Sequence, residues 1–144
     1  IVEGKLTSEY FHLLSKEINL PGLIKKYKLP NQLIRSQANL FLKRDKIINP
    51  CPHIDFQNVR HLVVLYYVID ADGDTIIYEN HYSNEKSVPE HDKRIIKKKV
   101  TPKKGRVVLF DGWYWHTAEQ PINGNRCIIN YNVIYNSILY YTII

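Results

Sequence analysis

Residues 61–79 read HLVVLYYVIDADGDTIIYE. The first nine, HLVVLYYVI, are almost wholly apolar and rich in β-branched and aromatic side chains. Such a run suits a strand buried on both faces rather than one that alternates between core and water. Asp70, Ala71, Asp72, Gly73 and Asp74 then form a turn by composition, since short polar side chains and glycine accept turn backbone angles. The acidic cluster lacks the ligand ladder and closing Glu of an EF-hand, so a turn is favoured over a calcium loop. Residues 75–79 (TIIYE) are expected to return as the second strand of a hairpin.

The pattern continues on both sides. Residues 33–42 form a candidate strand after Pro30, and Asn49-Pro50-Cys51-Pro52 is a turn leading into His53. Downstream, 81–93 is polar and reads as a loop, and 97–101 as an edge strand. Residues 106–110 (RVVLF), 113–117 and 126–135 (RCIINYNVIY) are further strands, separated by Asp111-Gly112 and by the Asn-Gly turn of 121–125. Residues 131–144 are apolar but broken by Asn132, Asn136 and Ser137, which fits a buried strand followed by a packed end. Ahead of the strands, Thr7 starts a helix with apolar positions at Tyr10, Phe11, Leu13, Leu14 and Ile18, and a shorter helix covers 21–27. The expectation is a mainly β fold with N-terminal helices: a closed or double-sheet architecture such as a jelly roll. It forms a single domain over 1–144, with 1–30 as helical support and 31–144 as the jelly-roll core.

Bulk composition agrees. The chain has 144 residues, 44% hydrophobic and 24% charged, enough for one core. No apolar run approaches the roughly 20 residues of a membrane span, and no signal peptide is visible. Two cysteines do not make a disulfide framework, so a reducing cytoplasm is expected. Much of the net charge of +6 lies in RIIKKKVTPKKGR, residues 94–106. That run reads as an exposed strand edge and loop, with a partner-binding patch as the alternative.

The chemistry lies in His53-Ile54-Asp55, His116 and Arg126. Residues two apart on a strand point the same way, so His53 and Asp55 can aim an imidazole and a carboxylate at one point. A histidine from a distant strand would complete one face of an octahedron. Two histidines and one carboxylate leave three positions open, the arrangement of non-haem iron(II) oxygenases. Arg126, ten residues after His116, can clamp a carboxylate through two parallel hydrogen bonds. The bland alternatives are strand polar residues with a buried structural histidine, and a structural salt bridge at Arg126.

The motifs PHID (52–55), LYYVIDADGDT (65–75) and LFDGWYWHTAEQPINGNR (109–126) resemble the 2-oxoglutarate/iron(II) dioxygenase superfamily. The likeness is to its prolyl-4-hydroxylase-like branch in the short phage and bacterial form, and it covers roughly residues 33–135. The resemblance implies a double-stranded β-helix, with His53, Asp55 and His116 as iron ligands. It implies Arg126, and with it Tyr67, as the residues that bind the distal carboxylate of 2-oxoglutarate. A one-residue slip would put Tyr66 in place of Tyr67. Asp70 stands where the pattern has Asn. The retained Asp55 argues against a halogenase.

The implied reaction consumes O₂ and 2-oxoglutarate, with ascorbate in support, and hydroxylates a C–H bond while succinate and CO₂ are released. A peptide or amino-acid substrate is expected. Nucleic acid is the lesser alternative, because Arg126 to Asn130 does not reproduce the demethylase pattern. Two rivals from other classes are a non-catalytic jelly-roll module that binds a metal or partner, and a zinc hydrolase. The hydrolase needs a general base that no motif supplies. The remaining histidines, His12, His61, His81 and His91, read as structural or exposed. Cys51 and Cys127 read as small core residues, and Trp113 and Trp115 as core or rim aromatics. Residues 81–94 are a candidate flap over the site. The oligomeric state is not legible.

Overall fold

A computed structural model of the chain describes residues 32–46 and 50–134, with five scattered positions ahead of them. The helices expected over 7–18 and 21–27 and the segment after Ile134 lie essentially outside the described residues. Among the described residues there are seven strands: β1 (Leu33–Phe41), β2 (His61–Tyr67), β3 (Thr75–His81), β4 (Ile96–Val100), β5 (Val107–Asp111), β6 (Tyr114–Ala118) and β7 (Arg126–Ile134). Each expected strand is found within about two residues of its reading. A short 3₁₀ turn, His91–Lys93, interrupts the 81–94 connection.

The strands form two antiparallel sheets, in the orders β1-β7-β2-β5 and β4-β3-β6. The chain is thus mainly β, consistent with a jelly roll. Val63, Leu65 and Tyr67 of β2 and Val108, Phe110 and Ile128 from the larger sheet meet Ile77 and Val100 of the smaller one. On the opposite face of the larger sheet, Leu62 and Val64 join Leu109, Ile129, Tyr131 and Val133. β2 is therefore buried on both faces, as its unbroken apolar run requires. Each fully buried aliphatic side chain there contributes roughly 1.5–3 kcal/mol relative to exposure.

The hairpin expected between β2 and β3 does not form. β2 pairs with β5 and β7, whereas β3 pairs with β4 and β6. Residues 68–74 instead carry the chain from one sheet to the other. The acidic side chains of this crossover bind other loops rather than closing a tight turn. Asp70 Oδ1 accepts from Lys104 N at 2.6 Å. Asp72 Oδ2 accepts from Asn123 N at 3.0 Å and Asn123 Nδ2 at 2.8 Å. Gly73, at φ 87°, lies against the Glu119 and Pro121 backbone, where a β-carbon would not fit. Composition marked the break between the strands, where the chain bends at 68–69 and 72–73, but not which strands would pair.

β4 lies at a sheet edge, as expected. Its lysines reach acids nearby: Lys97 to Glu79 at 3.0 Å and Lys99 to Glu119 at 2.7 Å. Two of the seven cations of 94–106 are thus locally paired on the strand that forms the sheet edge. Among the described residues, no helix is long and apolar enough to cross a membrane. Both cysteines are free, Cys51 exposed and Cys127 half-buried.

Candidate active site

The 53–55 segment is not a regular strand. His53 forms a single bridge to His116 on β6, and the chain then bends at Asp55. The alternation expected of a strand still holds over three residues. The Ile54 side chain packs with Ile76, Tyr78 and Trp115, and the segment His53 to Asp55 borders a cavity of about 350 Å³ between the sheets. His53, Asp55 and His116 each offer a ligand atom, and these atoms lie within 4.8 Å of one another.

The histidine tautomer at His116 follows from its partner. His116 Nδ1 lies 2.8 Å from the Tyr114 carbonyl, which can only accept, so Nδ1 carries the proton and Nε2 keeps its lone pair. Burial, and next the neighbouring His53, push the His116 pKa down to about 4, so the ring is neutral near pH 7. Burial would raise the Asp55 pKa, but hydrogen bonding with His53, the charge of His116, and donation from Asn130 and Asn132 outweigh it. Its carboxyl is held well below the ordinary carboxylate range. The site therefore presents two imidazoles and one carboxylate, the donor set for a divalent cation.

Arg126 opens β7, lines the same cavity and is only 1% exposed. Its Nη2 donates to Thr75 Oγ1 at 2.7 Å, and its carbon centre lies 4.9 Å from the Phe41 ring and 5.8 Å from the Tyr67 ring. Nε and Nη1 are buried with no hydrogen-bond partner. Burial depresses the Arg126 pKa, opposed by Tyr67 and Asp74. Unspent donors on a buried cation are costly, and a carboxylate is the group that satisfies them. Tyr67 donates to Thr75 Oγ1 at 2.7 Å; burial raises its pKa, opposed by Thr75 and Arg126. Tyr66 packs against the opposite face of the sheet. Of the two tyrosines, Tyr67 is the one beside Arg126.

Sequence reasoning missed four residues here. Thr75 links Tyr67 and Arg126. Arg35 on β1 pairs with Asp55 at 3.1 Å, and Asn130 and Asn132 on β7 donate to Asp55. The asparagines carried a signal: they share the parity of Arg126 in an otherwise apolar strand, which places all three on one face. Nothing local to Arg35 marked it. Conversely, residues 81–94 do not line this cavity. His91 and Arg94 border a separate one, with Tyr78 and Lys99, on the outer face of the smaller sheet. Trp113 and Trp115 donate to the Phe56 and Glu85 carbonyls and lie outside the cavity. His61 is buried against Gly112 as a structural residue.

No family model matches the sequence, and no curated protein does. Solved structures do match. An N-substituted L-amino acid dioxygenase from Burkholderia ambifaria AMMD aligns with 92% of this chain and 70% of its own, at 10% identity and a TM-score of 0.55. Its complex with alpha-KG aligns with 89% and 66%, at 14% identity and a TM-score of 0.50. The viral collagen prolyl hydroxylase of Paramecium Bursaria Chlorella virus-1 aligns with 90% and 71%, at 12% identity and a TM-score of 0.51. A 2OG-Fe(II) oxygenase family oxidoreductase from Burkholderia pseudomallei aligns with 71% of this chain but 44% of its own, at 18% identity and a TM-score of 0.50. At these identities the likeness is one of fold: the chain shares its fold with 2OG-Fe(II) oxygenases, a prolyl hydroxylase among them.

Proposed function

We propose that the chain is an iron(II)- and 2-oxoglutarate-dependent dioxygenase of the prolyl-4-hydroxylase-like type, a single domain over 1–144 built as a double-stranded β-helix. The observation that carries this reading is the pairing within one cavity of the His53, Asp55 and His116 cluster with Arg126, a buried cation holding two unused N–H donors. A cation site alone fits many proteins. A cation site plus a buried carboxylate clamp fits a metal enzyme whose co-substrate is a dicarboxylate.

The residues present fit both groups. His53, His116 and Asp55 would hold iron(II) on one face, leaving three positions. Arg126, Thr75 and Tyr67 would hold the distal carboxylate of 2-oxoglutarate. Together the bound groups supply oxidising power: O₂ and 2-oxoglutarate are consumed, succinate and CO₂ leave, and a substrate C–H becomes C–OH. The protein's part is orientation and the exclusion of water. Arg126 fixes one end of the co-substrate, and Phe41 covers the guanidinium. Leu65 and Ile128 add apolar wall. The Tyr114 carbonyl keeps the His116 proton on Nδ1, so Nε2 is free to coordinate.

The cavity also bears on substrate. Its charged groups are Arg35, His53, Asp55, His116 and Arg126; four of them serve the metal and the clamp, and Arg35 is paired with Asp55. The polar groups left over are neutral, chiefly the amides of Gln37 and Asn39. Such a lining favours a neutral, hydrogen-bonding substrate, a peptide or amino acid, over a phosphate backbone. A zinc hydrolase is disfavoured because the described cavity lining holds no second carboxylate or third histidine to act as general base. Cytoplasmic action is part of the proposal.

The test is succinate release from 2-oxoglutarate with iron(II), ascorbate and O₂, comparing the intact protein with His116→Ala, alongside direct binding of 2-oxoglutarate. Succinate from the intact protein alone supports the reading. Failure to bind either iron(II) or 2-oxoglutarate overturns it in favour of a non-catalytic binding module.

A further inference from the structure

Asp55 is gripped by side chains that the proposed reaction does not otherwise use. Its Oδ2 accepts from Asn132 Nδ2 at 2.7 Å and from Asn130 Nδ2 at 3.0 Å. Its Oδ1 lies 3.6 Å from His53 Nε2 and 3.1 Å from Arg35 Nη2. Arg35 Nε also donates to Asn132 Oδ1 at 3.1 Å, closing a ring through Arg35, Asn132 and Asp55. That last bond fixes which end of the Asn132 amide faces Asp55. Arginine only donates, so the Asn132 oxygen turns to Arg35 and its nitrogen to the carboxylate. The β1–β7 pairing sets Arg35 beside Asn132, and the strand period puts Asn130 on the same face. Asn132 is fully buried.

The two oxygens of Asp55 are thus unequal. Oδ2 carries two amide donors, while Oδ1 faces His53 and takes the Arg35 contact. A carboxylate that coordinated through both oxygens would take two positions of an octahedron and leave only two open. A 2-oxo acid chelating through two atoms, plus O₂, needs three. We propose that Asn130 and Asn132 are positioning residues that hold Asp55 to coordination through Oδ1 alone, with Arg35 orienting Asn132. The inference rests on the iron reading above. It adds the reason why three positions stay open and names the residues that keep them so.

The test uses Mn(II) as probe on the metal-free protein. Two quantities are read: the affinity, and the number of exchangeable waters on bound Mn(II), counted by broadening of its electron paramagnetic resonance signal in ¹⁷O-water. The intact protein is expected to show three waters. The double variant Asn130→Ala/Asn132→Ala is expected to show two, because the freed Oδ2 joins the metal, with affinity changed by about 10–100-fold. Three waters in the double variant overturn the proposal, whether affinity is kept or lost, since loss of affinity alone is what a merely structural role gives. If the double variant does not fold, the near-isosteric Asn130→Leu/Asn132→Leu decides by the same count. Intact protein that fails to bind Mn(II) overturns the metal reading itself, whereas binding with three waters in every variant overturns this inference only.

Discussion

His53 and His116 exchange both backbone hydrogen bonds, His53 N to His116 O at 2.9 Å and His116 N to His53 O at 3.2 Å, and their rings lie 4.5 Å apart. The two imidazoles are thus brought together by main chain, independently of any ion. Asp55 comes to them by a bend two residues later. Polar side chains are preorganised here by bonds that a side-chain substitution leaves intact.

For that reason Asp55→Ala should leave the fold in place and abolish tight metal binding. Circular dichroism and Mn(II) titration check the two halves. Full metal affinity in the variant would remove Asp55 from the site.

Arg126 should show opposite effects on stability and on function. Its buried, unpaired Nε and Nη1 are a liability without a bound anion. Arg126→Met is therefore expected to leave the ligand-free protein at least as stable, with a gain of up to about 1–4 kcal/mol by urea unfolding. It should also raise the 2-oxoglutarate requirement about 100-fold or more, as loss of a charge-assisted bidentate contact implies. An unchanged requirement would reassign the clamp.

Thr75 Oγ1 accepts from both Tyr67 and Arg126. Thr75→Val keeps the shape but strands the buried Arg126 Nη2 donor, at a cost of about 1–3 kcal/mol, and leaves Tyr67 only the Val100 carbonyl at 3.5 Å. The variant should unfold at lower urea and bind 2-oxoglutarate more weakly. Wild-type values in both measurements would show that Thr75 is not the link between the two residues.

The acid response of the metal-free protein follows from His116. Its folded pKa is about 4 against 6.5 for the free group. As pH falls below 6.5 the unfolded chain takes up a proton that the fold refuses until about pH 4. Stability therefore declines across that window, by about 3 kcal/mol from this residue. Buried His61, shifted in the same direction, adds to the slope. Asp55, shifted down, contributes stability above its unfolded pKa and loses it only at lower pH. Urea midpoints at pH 7 and 4.5, in chelator, should differ less for His116→Gln than for wild type. Equal slopes would contradict the burial argument.

Gly112 makes a structural check. A β-carbon there would collide with the buried His61 ring. Gly112→Ala should cost about 1–3 kcal/mol by overpacking, read as a lower urea midpoint. A neutral result would mean that the His61 ring can move aside.

Much of this protein was legible residue by residue. The unbroken apolar run of β2 dictated burial on both faces, because no alternation offered a wet side. Turn residues marked the strand ends. The spacing of His53 and Asp55 put both on one side of the chain, and the parity of Arg126, Asn130 and Asn132 in β7 put them on one face. These are consequences of the period of an extended chain, which is local. What only the tertiary structure decided was pairing across sequence distance. The turn at 70–74 is the same whether it closes a hairpin or crosses between sheets. β2 instead pairs with β5 and β7 in the larger sheet, and its inner face meets Ile77 and Val100 of the smaller one. The choice of Tyr67 over Tyr66, the link through Thr75 and the grip of Arg35 on Asp55, 20 residues away, follow from that packing. Hydrogen bonds between strands depend on register, and register is fixed only when the two sheets close on each other.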